Sequence, residues 1–167
     1  VTALLAKGSL WPNMRQRPVK TLVLVDDVHA GTIHTINFAK SLGAPWTAIH
    51  VAIDPEKAER VKQTWQERVG DEAYFKILPS PYRELTGPVH AYIEELMTEL
   101  GEGYIHVIVG HLVMHSLSGQ ALHQNAAISL NFALQDLKRV AVTTVAYQLD
   151  PETIKDSAES SRGLMAE

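Results

Sequence analysis

Three clusters of residues have side chains able to bind a ligand or react with one. The first is Asp26-Asp27-Val28-His29-Ala30-Gly31-Thr32. Adjacent carboxylates can accept hydrogen bonds from a ribose or a base, or hold a metal ion, and a glycine lets a ligand come close to the backbone. A helix starting here would also turn its free N–H groups toward an anion. The competing reading is that Asp27 and Thr32 only cap a turn and that helix. The second cluster is Ser80-Pro81-Tyr82-Arg83, preceded by Pro79. The two prolines restrict the loop and fix where Ser80, Tyr82 and Arg83 point. A guanidinium beside a phenol suits a phosphate or a stacked base. The alternative is a rigid connection in which Arg83 pairs with Glu84 or with a neighbouring helix.

The third cluster runs from Gly110 and His111 through His115, Ser116 and Ser118 to Gly119. The two histidines have a metal-ligand spacing if the segment is helical. No glutamate lies between them, however, and the segment follows a strand. A phosphate cradle of Ser116, Ser118 and Gly119 ahead of a helix is therefore preferred to a metal site, with a plain turn as its rival. No Gly-Lys-Ser or Gly-Lys-Thr closes the loop, so it is not a P-loop. Leu122-His123-Gln124-Asn125 follows in the first turns of the next helix, where His123 and Asn125 either reach the mouth of the same cleft or form an exposed polar face. His50 and His106 fall inside strands and read as sheet histidines; His34 and His90 read as surface, Trp65 and Phe132 as core. No serine–histidine–acid or paired-carboxylate spacing emerges.

Regular elements must position these clusters. Thr21–Asp26 is a β-branched apolar run ending in acid, as a buried parallel strand should be. Gly31 and Thr32 open a helix to Leu42, which Gly43 closes. Trp46–Ile53 reads as a second strand, and Asp54-Pro55-Glu56 as the start of a helix to about Val69. Ala73–Leu78 is a third strand and Tyr104–Val109 a fourth, separated by a helix from Gly87 or Pro88 to Leu100. A helix over about Gln120–Leu137 leads into a fifth strand, Val140–Ala146. Strands alternating with helices give an α/β fold, an open five-stranded parallel sheet with helices on both faces. Such a Rossmann-like sheet binds ligands beyond the carboxyl ends of its strands, where strand order reverses.

The 167 residues fit one domain, and the composition of 46% hydrophobic and 20% charged residues is that of a globular chain. With no cysteine there is no disulfide, thiolate zinc site or thiol nucleophile. The net charge of −4 argues against nucleic acid as a partner. That charge is uneven. Residues 1–25 hold Lys7, Arg15, Arg17 and Lys20 and no acid, while the remainder carries 11 basic and 19 acidic residues. The apolar start Val1-Thr-Ala-Leu-Leu-Ala6, then Trp11 and Arg15-Gln-Arg17, has the order of the cytoplasmic end of a membrane helix. An N-terminal arm is the alternative. The absence of an initiator methionine suggests a processed chain or a piece of a longer one. We expect a juxtamembrane linker over 1–19, the α/β domain over 20–149 and a polar tail over 150–167.

The order of the pieces is more specific than any one of them. Val23-Leu-Val-Asp26-Asp27-Val28-His29-Ala-Gly31-Thr32, Asn37-Phe-Ala39-Lys-Ser-Leu42 and Ala48-Ile-His50-Val51, then Ser80-Pro81-Tyr82-Arg83 with Pro88 and Leu122-His123-Gln124-Asn125, together resemble one known domain. It is the C-terminal cytosolic domain of APC-superfamily permeases, the amino-acid and potassium transporters of bacteria. That domain is similar to the universal stress protein fold. The resemblance implies sheet order 3-2-1-4-5 and a regulatory, non-enzymatic domain on the cytoplasmic face of the membrane, attached to the membrane-spanning part of the same polypeptide and forming a homodimer. It also implies sensing of an adenine nucleotide such as cyclic di-AMP.

By the same resemblance Asp26, Asp27, Gly31 and Thr32 would line the cleft with Val51, while Arg83 and the Ser116–Gly119 turn would meet phosphate. Ser80, Tyr82, Gly110, His123 and Asn125 complete the expected site. The chain departs from ATP-binding universal stress proteins, whose Gly-x2-Gly-x9-Gly-Ser/Thr motif would need glycine where Val113 and His123 stand. It also reads Gln124-Asn125 where the family has Asn-Gln. A free-standing nucleotide-binding stress protein and a dimerisation module without ligand are the rival readings. A nucleotidyl transferase would need a His-x-Gly-His segment near the first strand, and none occurs.

Overall fold

The computed structural model describes residues 15–112 and 120–148. In chain order the elements are β1 (Val19–Leu24), α1 (Ala30–Ser41), β2 (Trp46–Ala52), α2 (Pro55–Arg68), a 3-10 turn (Glu72–Tyr74), β3 (Phe75–Pro79), α3 (Thr86–Leu100), β4 (Tyr104–Leu112), α4 (Gln120–Ala133) and β5 (Val140–Tyr147). The strands form one five-stranded sheet in the order 3-2-1-4-5, and every pair is parallel. The alternating pattern predicts the parallel sheet, and the resemblance implies its strand order. The expected linker and tail lie outside the described residues, apart from 15–19, of which Val19 already belongs to β1.

Apolar alternation along the central strands divides the core into two layers. Leu22, Ile49, Val51, Leu78, Val107 and Val109 pack with Val89 and Ile93 of α3 and Leu130 of α4. Val23, Val25, Ala48 and Ile108 pack with Ile36 and Ala39 of α1 and Val61 and Trp65 of α2. One pair of helices therefore covers each face, as parallel strands buried on both sides require. Trp65 is fully buried, stacks on Phe75 at 4.7 Å, and donates its indole N–H to the Asp71 carbonyl at 3.0 Å. That bond satisfies the polar atom such a ring brings inside. Thr21, also fully buried in β1, has a hydroxyl with no hydrogen-bond partner among the described residues.

Local signals set most boundaries. Asp54 caps α2 by accepting the Glu56 N–H at 3.0 Å, with Pro55 in the first turn, and Gly70 leaves that helix at φ +83°. Three expectations need correcting. β4 continues through Gly110 to Leu112, because those residues pair with Val145, Ala146 and Tyr147 of β5. α4 stops at Ala133 and not near Leu137. Phe132 is 72% exposed, on the outer side of α4, so it is not a core residue.

Candidate functional site

The chain leaves β1 with the Val25 N–H still bonded to the Ile49 carbonyl at 2.9 Å, then turns into α1. Asp26 projects to solvent and pairs with Lys57 of α2 at 2.7 Å. The Asp27 carboxylate accepts the Val28 N–H at 2.7 Å, and its carbonyl accepts the Thr32 hydroxyl. His29, in an extended conformation, is the helix cap: its Nδ1 accepts the Gly31 N–H at 3.1 Å. The Thr32 hydroxyl oxygen accepts the His29 N–H at 3.4 Å, completing a reciprocal box. Asp27 and Thr32 therefore take the capping roles that rivalled their ligand roles. Both carboxylates are exposed, Asp27 bonded to the backbone beside it and Asp26 to Lys57.

Strand order reverses between β1 and β4, the position at which open parallel sheets bind ligands. The ring of Tyr147, the last residue of β5, lies there. A Cβ built on Gly31 would fall 2.1 Å from the Tyr147 ring, and one on Gly110 would fall 3.4 Å from it and 2.8 Å from the Thr35 hydroxyl. The two glycines, one in the first turn of α1 and one inside β4, thus clear the slot that the ring fills. The Thr35 hydroxyl donates to the Gly31 carbonyl at 2.9 Å, which holds the near wall in place. The His29 ring stands 5.7 Å from that of Tyr147, tilted by 44°. Burial, and after it the nearby Asp26 carboxylate, push the Tyr147 phenol above the ordinary tyrosine range. Beside the ring an open cavity of 230 Å³ is lined by Ala30, Gly31, His34, Ala146, Tyr147 and Gln148.

The Ser80 loop is locked differently. The buried Ser80 hydroxyl donates to the Glu84 carbonyl at 2.7 Å and accepts the Glu84 N–H at 2.9 Å. Arg83 bonds its N–H to the Ser80 carbonyl at 3.1 Å and sits at φ +55°, in the left-handed region. That conformation is uncommon for a residue with a side chain. Its result is that Tyr82, 84% exposed, and Arg83 both project outward. Among the described residues the Arg83 guanidinium makes no ion pair or hydrogen bond. Glu84 lies against the first turn of α3, where a Cβ on Gly87 would meet its carboxylate at 2.4 Å. A carboxylate is favoured at that helix N-terminus.

The structure thus gathers Asp26, Asp27, Gly31, Thr32 and Gly110 at the β1–β4 junction. Ser80, Tyr82 and Arg83 follow β3, two strands away and so about 10 Å across the sheet. Val51 packs in the layer beneath α3 and α4, so the sheet separates it from Gly31 and Thr32. Ser116, Ser118 and Gly119 lie outside the described residues, as do the side chains of His123 and Asn125. Of the sheet histidines, His50 Nδ1 is 2.8 Å from the Val25 carbonyl, and His106 Nε2 is 2.6 Å from the Thr143 hydroxyl. Burial pushes the His106 imidazole below its ordinary range. Among the described residues no group of three or more histidine, aspartate or glutamate side chains is arranged to hold a metal ion.

Sequence reasoning missed Tyr147, His29 as a cap, and His34 beside the cavity. An available signal was Gly110: a glycine inside a strand marks a close approach by another group.

Residues 15–147 match the family model described as the KimA potassium transporter C-terminal domain. The chain is also 26% identical over 131 residues to the potassium transporter KimA of Bacillus subtilis (strain 168). That alignment takes in 76% of the chain but 21% of the relative, so the chain spans a small part of that transporter's length. No helix among the described residues is long and apolar enough to cross a membrane.

Proposed function

The chain belongs to the KimA potassium transporter C-terminal domain family, and from that membership we propose that it is the regulatory, non-enzymatic domain of a membrane transporter whose cargo is potassium. In this reading it lies on the cytoplasmic face, residues 1–19 join it to the membrane-spanning part of the same polypeptide, and residues 150–167 form a polar tail. The observation that carries the reading is the extent of the family match, which runs from Arg15 to the last residue of β5 and so includes every strand of the sheet.

Regulation would follow from differential binding: a ligand that favours one arrangement of two domains biases the transporter by that difference and no more. Homodimerisation through β5 is the simplest arrangement. β5 has a neighbour on one side only, and its sequence Val-Ala-Val-Thr-Thr-Val-Ala-Tyr carries no charge. Long, uncharged edge strands invite pairing.

The ligand proposed is an adenine nucleotide, cyclic di-AMP first among them. The β1–β4 junction, with Asp26, Asp27, Gly31, Thr32 and Gly110, would receive its nucleoside. The Arg83 guanidinium, without an ion pair or hydrogen bond among the described residues, supports with Tyr82 beside it a phosphate contact. Ser116, Ser118, Gly119, His123 and Asn125 remain candidates for the same ligand. One observation favours a second reading, a dimerisation module without ligand: the Tyr147 ring already fills the slot between Gly31 and Gly110.

Calorimetric titration of the 167-residue chain with cyclic di-AMP, ATP and AMP separates the two. Saturable binding of cyclic di-AMP, at one per chain or one per two chains, with a marked loss in Arg83→Ala, is the expected result. No heat with any of the three would leave the dimerisation module.

A further inference from the structure

The Tyr147 ring fills the place where a sheet of this kind receives a ligand, yet only packing holds it there. Its hydroxyl makes no hydrogen bond among the described residues, and beside the two glycines its aromatic contact is with the His29 ring, 5.7 Å away and tilted by 44°. A firmly fixed aromatic group looks different. Trp65 is fully buried, stacked on Phe75 at 4.7 Å and hydrogen-bonded through its indole N–H. Tyr147 is half-buried and stands at the very end of an edge strand, where its displacement disturbs only the last pairing, Leu112 with Tyr147. The slot itself is built for a flat ring. Gly31 and Gly110 leave it open from two sides, and a Cβ on either would intrude. The adjoining cavity adds the imidazole of His34 and the amide of Gln148, groups that can donate to or accept from a heteroaromatic edge.

We propose that Tyr147 is a built-in competitor: its ring occupies the seat of a purine nucleoside between Gly31 and Gly110, and a nucleotide binds by displacing it. The inference rests on the nucleotide reading above and adds how that site is controlled. Because Tyr147 ends β5, displacement releases the end of the strand whose edge is the proposed dimer contact. Occupancy of the site and the geometry of β5 thereby become one equilibrium. A closed form of this kind lowers the apparent affinity by the fraction of molecules that are open. With an open population of about 1–10%, typical of a minor state, removing the competitor tightens binding about ten- to hundredfold.

The test titrates cyclic di-AMP and AMP into the wild-type chain, Tyr147→Ala and Tyr147→Phe, with circular dichroism to confirm folding. The expected result is tighter binding in Tyr147→Ala, by about ten- to hundredfold, and little change in Tyr147→Phe, which keeps the ring. Binding by Tyr147→Ala where the wild type shows none also supports the proposal. Wild-type binding that Tyr147→Ala leaves equal or weaker overturns the competitor while leaving nucleotide binding intact. No binding by either protein overturns both. Should Tyr147→Ala not fold, NMR of wild-type protein labelled in its tyrosine rings decides the matter. Saturating cyclic di-AMP must shift the Tyr147 ring signals and the Gly110 amide, and binding without those shifts refutes displacement.

Discussion

The contact between Gly31 and Tyr147 makes an unusual forecast: adding one methyl group to a helix should help or harm depending on a side chain at the far end of the sequence. Gly31 lies in the first turn of α1 and is not among the positive-φ glycines, so alanine fits its backbone. Taken alone, Gly31→Ala should stabilise the fold by ~0.5–1 kcal/mol, through helix preference and a less flexible unfolded chain. In the wild type, however, the new Cβ would fall 2.1 Å from the Tyr147 ring, so the ring must leave. Full burial of a large apolar side chain is worth ~1.5–3 kcal/mol, so losing the contacts of a half-buried ring costs about 1–1.5 kcal/mol. The single variant should therefore be neutral to slightly destabilised. In a Tyr147→Ala background that penalty is already incurred, and Gly31→Ala should stabilise by its full ~0.5–1 kcal/mol.

Urea denaturation of the four proteins closes a double-mutant cycle, read from midpoints at constant slope. The expected coupling is ~1–1.5 kcal/mol, set by the ring contacts. Additivity within ~0.3 kcal/mol would refute the placement of the ring and with it the competitor argument.

Other features give sharper single-site forecasts. Thr21→Val removes a buried hydroxyl that has no partner among the described residues and keeps the shape, so thermal denaturation should show a gain of ~1 kcal/mol or more; a loss would mean the hydroxyl is satisfied. Ser80→Ala deletes both bonds to Glu84 and should cost ~1–3 kcal/mol. The left-handed Arg83 should then relax, visible as broadened amide signals for residues 81–84. His106 has its pKa lowered by burial, so the unfolded chain takes up the proton first. Its contribution is present above the ordinary histidine value of 6.5 and is lost as pH falls below it. Denaturation at pH 7 and pH 5.5 should show a smaller loss in His106→Gln than in wild type, and an equal loss would remove His106 from the account.

What the sequence made legible follows the range over which each signal acts. The alternation of apolar strands and amphipathic helices is local, and it predicts every strand within a few residues, along with the cap at Asp54 and the breaks at Gly43 and Gly70. Gly110 misled because glycine weakens a strand in isolation. The reason for its place, the approach of Thr35 and Tyr147, is tertiary. Phe132 misled in the opposite direction: a large apolar residue on a helix reads as core, yet it lies on the solvent side of α4. At the first loop the residues were found but their division of labour was not. Nothing in Asp26-Asp27 tells which carboxylate bonds the backbone and which faces Lys57. Gly110 signals a close approach by another group but not which one: the residues Tyr147 touches lie on α1 and β4, and only the sheet order brings them to the end of β5.

The parallel sheet also fixes how this unit responds to force. Arg15 and Arg17 both engage Glu102 just ahead of β4, so the chain enters at the amino-terminal edge of the sheet. Tyr147 lies at the opposite edge, and β1 and β5 are both bonded to β4 between them. Tension applied between Arg15 and Tyr147 therefore pulls along the strands, loading the β1–β4 and β4–β5 ladders in shear. In that geometry the ladder bonds share the load and cannot open one after another like a zipper. A unit strung this way gives way only when several ladder bonds break together, so it resists stretching between those two points.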